Sequence, residues 1–133
     1  MSEISVRDNL VKGYSVSCDA REITIHTEYH GNDSHERTEV LFEGVEAYLL
    51  AGDNMQSVLF DISEQSIDQI LEDFSEEFDA ARKHGWPGPW NESTESCREN
   101  LTRSACRAWR IESSYGLSGF VMAKDMRLKV ASQ

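Results

Sequence analysis

The chain has 133 residues, enough for one domain that buries about two-thirds of the surface its unfolded form exposes, so its core needs neither metal nor disulfide. Hydrophobic residues make up 39% and charged residues 28%, with two prolines, which excludes a disordered or low-complexity chain. Thirteen Lys and Arg against twenty-four Asp and Glu give a formal charge of −11, which argues against nucleic-acid binding, where phosphates require clustered cations, and favours a basic partner.

Met1 through Asp8 contain no basic region followed by an apolar run, so no secretory signal is expected. No segment approaches the roughly 18 apolar residues of a membrane span, and a cytoplasmic protein without membrane contact is expected. Residues 14–20 alternate Tyr14, Val16 and Cys18 with polar residues and predict a strand, with Cys18 a small buried hydrophobe. Residues 22–30 predict its hairpin partner, with Ile23, Ile25, Thr27 and Tyr29 on one face and Thr24, His26, Glu28 and His30 on the other. Gly31-Asn32-Asp33-Ser34 predicts a turn.

Over residues 36–51, Val40 and Phe42 alternate in one phase and Val45, Ala47 and Leu49 in the opposite phase, with the switch at Gly44. A strand has a side-chain period of two, so a bulge or bend at Gly44 is expected, returning the apolar face to the same side. Gly52-Asp53-Asn54 leads into a strand at 57–62 with Val58-Leu59-Phe60 at its heart. Ile67, Ile70, Leu71, Phe74, Phe78 and Ala81 form one stripe at helical spacing and predict a main helix over 66–84. Ser66 and Gln69 fit a capping box at its start, and Gly85 and Pro87 stop it.

Trp86-Pro87-Gly88-Pro89-Trp90 predicts a rigid aromatic connector. Cys97, Leu101 and Ala105 permit a second short helix near 92–104, and residues 106–114 and 119–130 predict a closing hairpin. The fold class expected is α+β: a single domain over 1–133, with an antiparallel sheet of six to seven strands in the order βββββ-α-ββ packed on the main helix.

Four stretches, 23–29 (Ile-Thr-Ile-His-Thr-Glu-Tyr), 42–48 (Phe-Glu-Gly-Val-Glu-Ala-Tyr), 59–64 (Leu-Phe-Asp-Ile-Ser-Glu) and 113–123, give the chain its strand patterns. In these it resembles small bacterial immunity proteins associated with secreted polymorphic toxins. The resemblance implies a family-like architecture and a toxin as partner. It carries no catalytic residue onto this chain.

Candidate chemistry is sparse. His26, Glu28 and His30 share a strand face, with His35 beyond the turn, and imidazole with carboxylate is a transition-metal ligand set. Alternate residues on one face stand about 7 Å apart, too far for ready joint coordination. Cys18, Cys97 and Cys106 form no CxxC, and no histidine follows His84 to activate a thiol. Asp61, Glu64 and Asp68 serve as a carboxylate site or, more simply, as capping and solvated charge. No GxSxG, HExxH or phosphate-cradling glycine loop occurs.

Charge is the remaining signal. From Asp61 through Ala81 there are eight acidic residues and no Lys or Arg, whereas from Arg98 onward seven basic residues face three acidic ones. The two halves either complement each other internally or make two surfaces. The reading is a non-enzymatic protein-binding domain, an immunity protein neutralising a bacterial toxin through an acidic surface. Its partner-binding residues are Glu72, Asp73, Glu76, Glu77, Asp79, Trp86 and Trp90, with no cofactor, metal or catalytic residue assigned. The tryptophans serve either as an apolar anchor or to pin the connector to the core. The alternative is a small metal-binding or hydrolytic enzyme using the His26/Glu28/His30 face.

Overall fold

Alternating β-branched and aromatic residues draw the first half of the chain into five strands: β1 Leu10–Ser17, β2 Glu22–Glu28, β3 Arg37–Glu43, β4 Ala47–Ala51 and β5 Val58–Gln65. Helices α1 Ile67–Asp73 and α2 Ser75–Ala81 follow, then a 3₁₀ turn at Arg82–His84 and helix α3 Thr94–Arg103. The chain closes with β6 Arg107–Tyr115, β7 Ser118–Ala123 and β8 Asp125–Ala131. The computed structural model describes residues 6–30, 35–52 and 55–131. The turn at 31–34, and Asp53-Asn54 of the next one, lie outside the described residues.

The class is α+β, with eight antiparallel strands rather than six or seven. Their order is β4-β7-β6-β5-β1-β2-β3-β8. Both ends of this order belong to one bent ribbon. β3 pairs with β8 and β4 pairs with β7, and between them Lys124 N–H donates to Glu43 C=O and Glu46 N–H to Met122 C=O. The expected single strand over 119–130 is broken at Lys124 because it bends in step with its partner at Gly44. The sheet therefore curls back on itself. Its thinnest seam is β1 with β5, where one residue pair, Leu10 and Val58, is in register.

Curling creates two cores. The inner one gathers Ile23, Ile25, Val40, Phe42, Leu59, Trp109, Ile111 and Val121, and Phe42 meets Trp109 edge-on at 5.7 Å. The second lies between the sheet's outer face and the helices, where Ala47, Ala108, Phe120 and Met122 meet Ile70, Leu71, Phe78, Cys97 and Leu101. Strand β7 serves both, so every residue from Gly119 to Ala123 is buried. The bend at Gly44 returns only Val45 to the inner side: Val40, Phe42 and Val45 face the inner core, whereas Ala47 and Leu49 face the helices.

The main helix is in fact two short ones. Ser66 Oγ accepts from Gln69 N–H at 3.1 Å, but Gln69 turns its amide to Asp73 and leaves the box half made. Phe74 leaves helical geometry at φ −112°, half-buried, with its ring 4.9 Å from Phe120. The break lets Phe74 and Phe78 both reach Phe120, the latter stacked at 5.6 Å. Helix α3 forms where a second helix was anticipated, with a complete Ser93–Ser96 capping box. Ala105, expected on its apolar stripe, is exposed at φ +58° beyond the helix end. Phe60 and Tyr29 are also exposed rather than core.

Phe78 is 2% exposed. Phe78→Ala is expected to cost about 3–5 kcal/mol in urea unfolding, and half-buried Phe74→Ala distinctly less. Gly44 has φ +65°, and a Cβ there would lie 2.9 Å from Lys124 Cγ. Gly44→Val should lose about 1–3 kcal/mol through backbone strain alone, measured by the same titration. Gly119→Ala should be worse, because its Cβ would press into the Leu49 carbonyl that β4 presents to β7.

Candidate protein interface on the helical layer

The helices expose one side because the sequence places carboxylates wherever the apolar stripe is not. Of the eight acidic residues between Asp61 and Ala81, five are ion-paired. Asp61 meets Arg7, Glu64 meets Arg107, Asp68 meets Arg98, Asp73 meets Arg110 and Asp79 meets Arg82. Three of these cations come from the basic C-terminal part, so the two halves complement each other inside the fold. Arg107 holds Glu64 with two hydrogen bonds, at 2.9 and 2.7 Å, and keeps its carboxyl below the usual range.

Glu72, Glu76 and Glu77 remain. Glu92, Glu95 and Glu99, on and just before α3, are equally exposed, and none of the six forms an ion pair within 4.0 Å among the described residues. The first three were anticipated from sequence; Asp73 and Asp79, named with them, are engaged by arginines. The three on α3 were missed, although Glu95 and Glu99 stand four residues apart and so share a helix face.

Trp86 and Trp90 do two things. Both are half-buried and pack on the helix-side core, Trp86 with its ring 5.5 Å from Phe78. They also line an open groove of about 560 Å³ between the β1–β2 end and β4, together with Val16, Arg21, Glu46 and Tyr48. The connector between them is held by Asn91, which is 1% exposed. Its Nδ2 donates to the carbonyls of Phe78 and Trp86, at 2.9 and 2.7 Å, and its Oδ1 accepts from Arg82 Nε and the Cys97 thiol. Sequence reading passed over Asn91, since only the fold brings those four partners around it.

The histidine face divides. His26 looks away toward Glu39 at 3.6 Å. Glu28 and His30 meet at 3.1 Å and His35 joins them. These three are the residues able to hold a metal ion among those described. Cys18 is exposed, contrary to expectation, because β1 stops at Ser17 and the chain has already turned outward. Cys97 and Cys106 are buried, and burial pushes both thiols up, Cys106 to about 11. Neither is an activated nucleophile. No helix is long and apolar enough to cross a membrane among the described residues. No family model, curated protein or solved structure matches the chain.

A thiol reagent should therefore label Cys18 at once and Cys97 and Cys106 only as the protein unfolds. The folded chain holds the Cys106 proton more tightly than the unfolded chain does. The stability linked to it is intact below about pH 9 and is lost as pH rises toward 11. Cys106→Ala should flatten that part of the urea-midpoint profile.

Proposed function

We propose that this chain is a non-enzymatic protein-binding domain whose partner presents a basic surface, in the manner of an immunity protein neutralising a bacterial nuclease toxin. One observation carries the reading. Nine of the thirteen basic side chains lie within 4.0 Å of a carboxylate of this chain, yet six carboxylates of the helical layer do not have such a partner among the described residues. Most of the cations are used to hold the fold, and the helical layer is left with six such carboxylates against Lys83 and Arg103.

Such a surface costs stability. Like charges four apart on a helix, such as Glu95 with Glu99 on α3, repel by a few tenths of a kcal/mol per pair. A partner with opposite potential converts that repulsion into attraction and speeds association. Nuclease toxins bind phosphates and present such a surface. Trp86 and Trp90, half-buried at the end of the same layer, supply the aromatic anchor that charge alone lacks.

The test takes as its probe a nuclease toxin domain, sought first among the genes beside that of this chain. Association should slow several-fold between low and physiological salt. Glu72→Lys, Glu76→Lys and Glu77→Lys together should weaken binding while leaving the urea midpoint near wild type, because none of the three has a partner to lose. Salt-independent association, or unchanged affinity in the triple variant, would remove the acidic layer from the interface.

A further inference from the structure

The connection from β2 to β3 assembles three donors that the helical layer does not involve. Glu28 ends β2 with a carboxylate only 9% exposed, and His30 places Nε2 3.1 Å from its Oε2. His35 approaches from the β3 side, its ring edge-on to His30 at 4.9 Å. Tyr29 N–H donates to Glu36 C=O at 2.9 Å, which ties the two arms of the connection together. One donor atom from each of the three residues lies within 4.8 Å of the other two.

We propose that Glu28, His30 and His35 form a zinc site, with a fourth position open to water. Two imidazoles and one carboxylate are a borderline ligand set, suited to Zn²⁺ and unlike the all-oxygen shells of Ca²⁺ and Mg²⁺. Zinc bonds of about 2.0–2.2 Å place tetrahedral donors roughly 3.3–3.5 Å apart. Side-chain rotation of about an ångström closes the present spacing, and both imidazoles are exposed.

Two cations stand near the same carboxylate and oppose a metal. Lys12 is 3.5 Å and Arg37 3.7 Å from its oxygens, longer than the roughly 2.7–2.9 Å of a tight charged hydrogen bond. Both side chains are largely exposed, at 49% and 62%, so solvent screens them and leaves them room to swing outward. His26 takes no part, being directed to Glu39. Bound zinc would staple the end of β2 to the start of β3.

Tag-free full-length protein titrated calorimetrically with zinc chloride at neutral pH should bind one ion per chain, with a rise in Tm. Cobalt in its place should give the intense visible bands of a tetrahedral site. His30→Ala and His35→Ala should each weaken binding about 10-fold or more, and both fold because the side chains are exposed. His26→Ala should bind as wild type. Failure to bind one zinc at micromolar concentration, or His26→Ala weakening binding as much as His30→Ala, would overturn the site.

Discussion

The fold depends on β7 being apolar on both faces. Phe120 and Met122 point to the helices, while Val121 and Ala123 point into the curled sheet. A strand of this kind must be covered twice, once by helices and once by more sheet. Its partner β4 comes from a chain that has already served the inner core as β3. That chain bends at Gly44, at φ +65°, and changes cores between Val45 and Ala47, and Lys124 is where β7 becomes β8 to remain paired with it. The bend, the curl and the position of the helices follow from this one requirement. Gly119 belongs to it as well, because only a residue without a side chain allows β4 to lie close at that point.

Electrostatics closes what the apolar cores begin. Arg98, Arg107, Arg110 and Arg127 reach from the C-terminal part to Asp68, Glu64, Asp73 and Glu43. These pairs are partly exposed, and each contributes little, on the order of 0–1 kcal/mol. Together they join elements distant in sequence: α3 to α1, β6 to β5 and α1, and β8 to β3. They also account for the chain's uneven charge. Arginines concentrate late because the carboxylates they meet come early. What remains after pairing, among the described residues, is a layer with six exposed carboxylates beside Lys83 and Arg103.

The sequence was legible where the signal is local. Alternation placed the five early strands, the phase switch marked Gly44, and Ser66 marked the helix start. The switch could not reveal its meaning, because a change of core and a restoring bulge leave the same pattern in one strand. The break at Phe74 was hidden for a similar reason. Ile70, Phe74 and Phe78 keep helical spacing through it, and only Phe120 across the interface explains why the helix yields. The acidic residues of α1 and α2 were legible, but their neutralisation was not, since Arg98 and Arg110 lie 30 and 37 residues from their partners. His35 escaped the strand-face argument because it approaches from the other arm of the connection.

The histidine cluster and the bend toward the helix-side core lie at opposite ends of β3. Glu28, His30 and His35 sit at its Arg37 end, and the bend that leads to the helix-side core is at its Glu43 end. Seven residues of strand separate them by about 20 Å, roughly two Debye lengths at physiological salt. Charge reversal on α1 and α2 leaves the donors of the cluster, which lie on β2 and its connection to β3, unchanged. What can connect the two ends is mechanical. Strand β3 is hydrogen-bonded along its whole length to β2 and β8, so pinning β2 to β3 at the cluster stiffens the ribbon whose other half carries β4 and β7. Because β1–β5 is the thin seam of the curled sheet, stiffness gained at the β2–β3 end supports the side of the curl least held by β5.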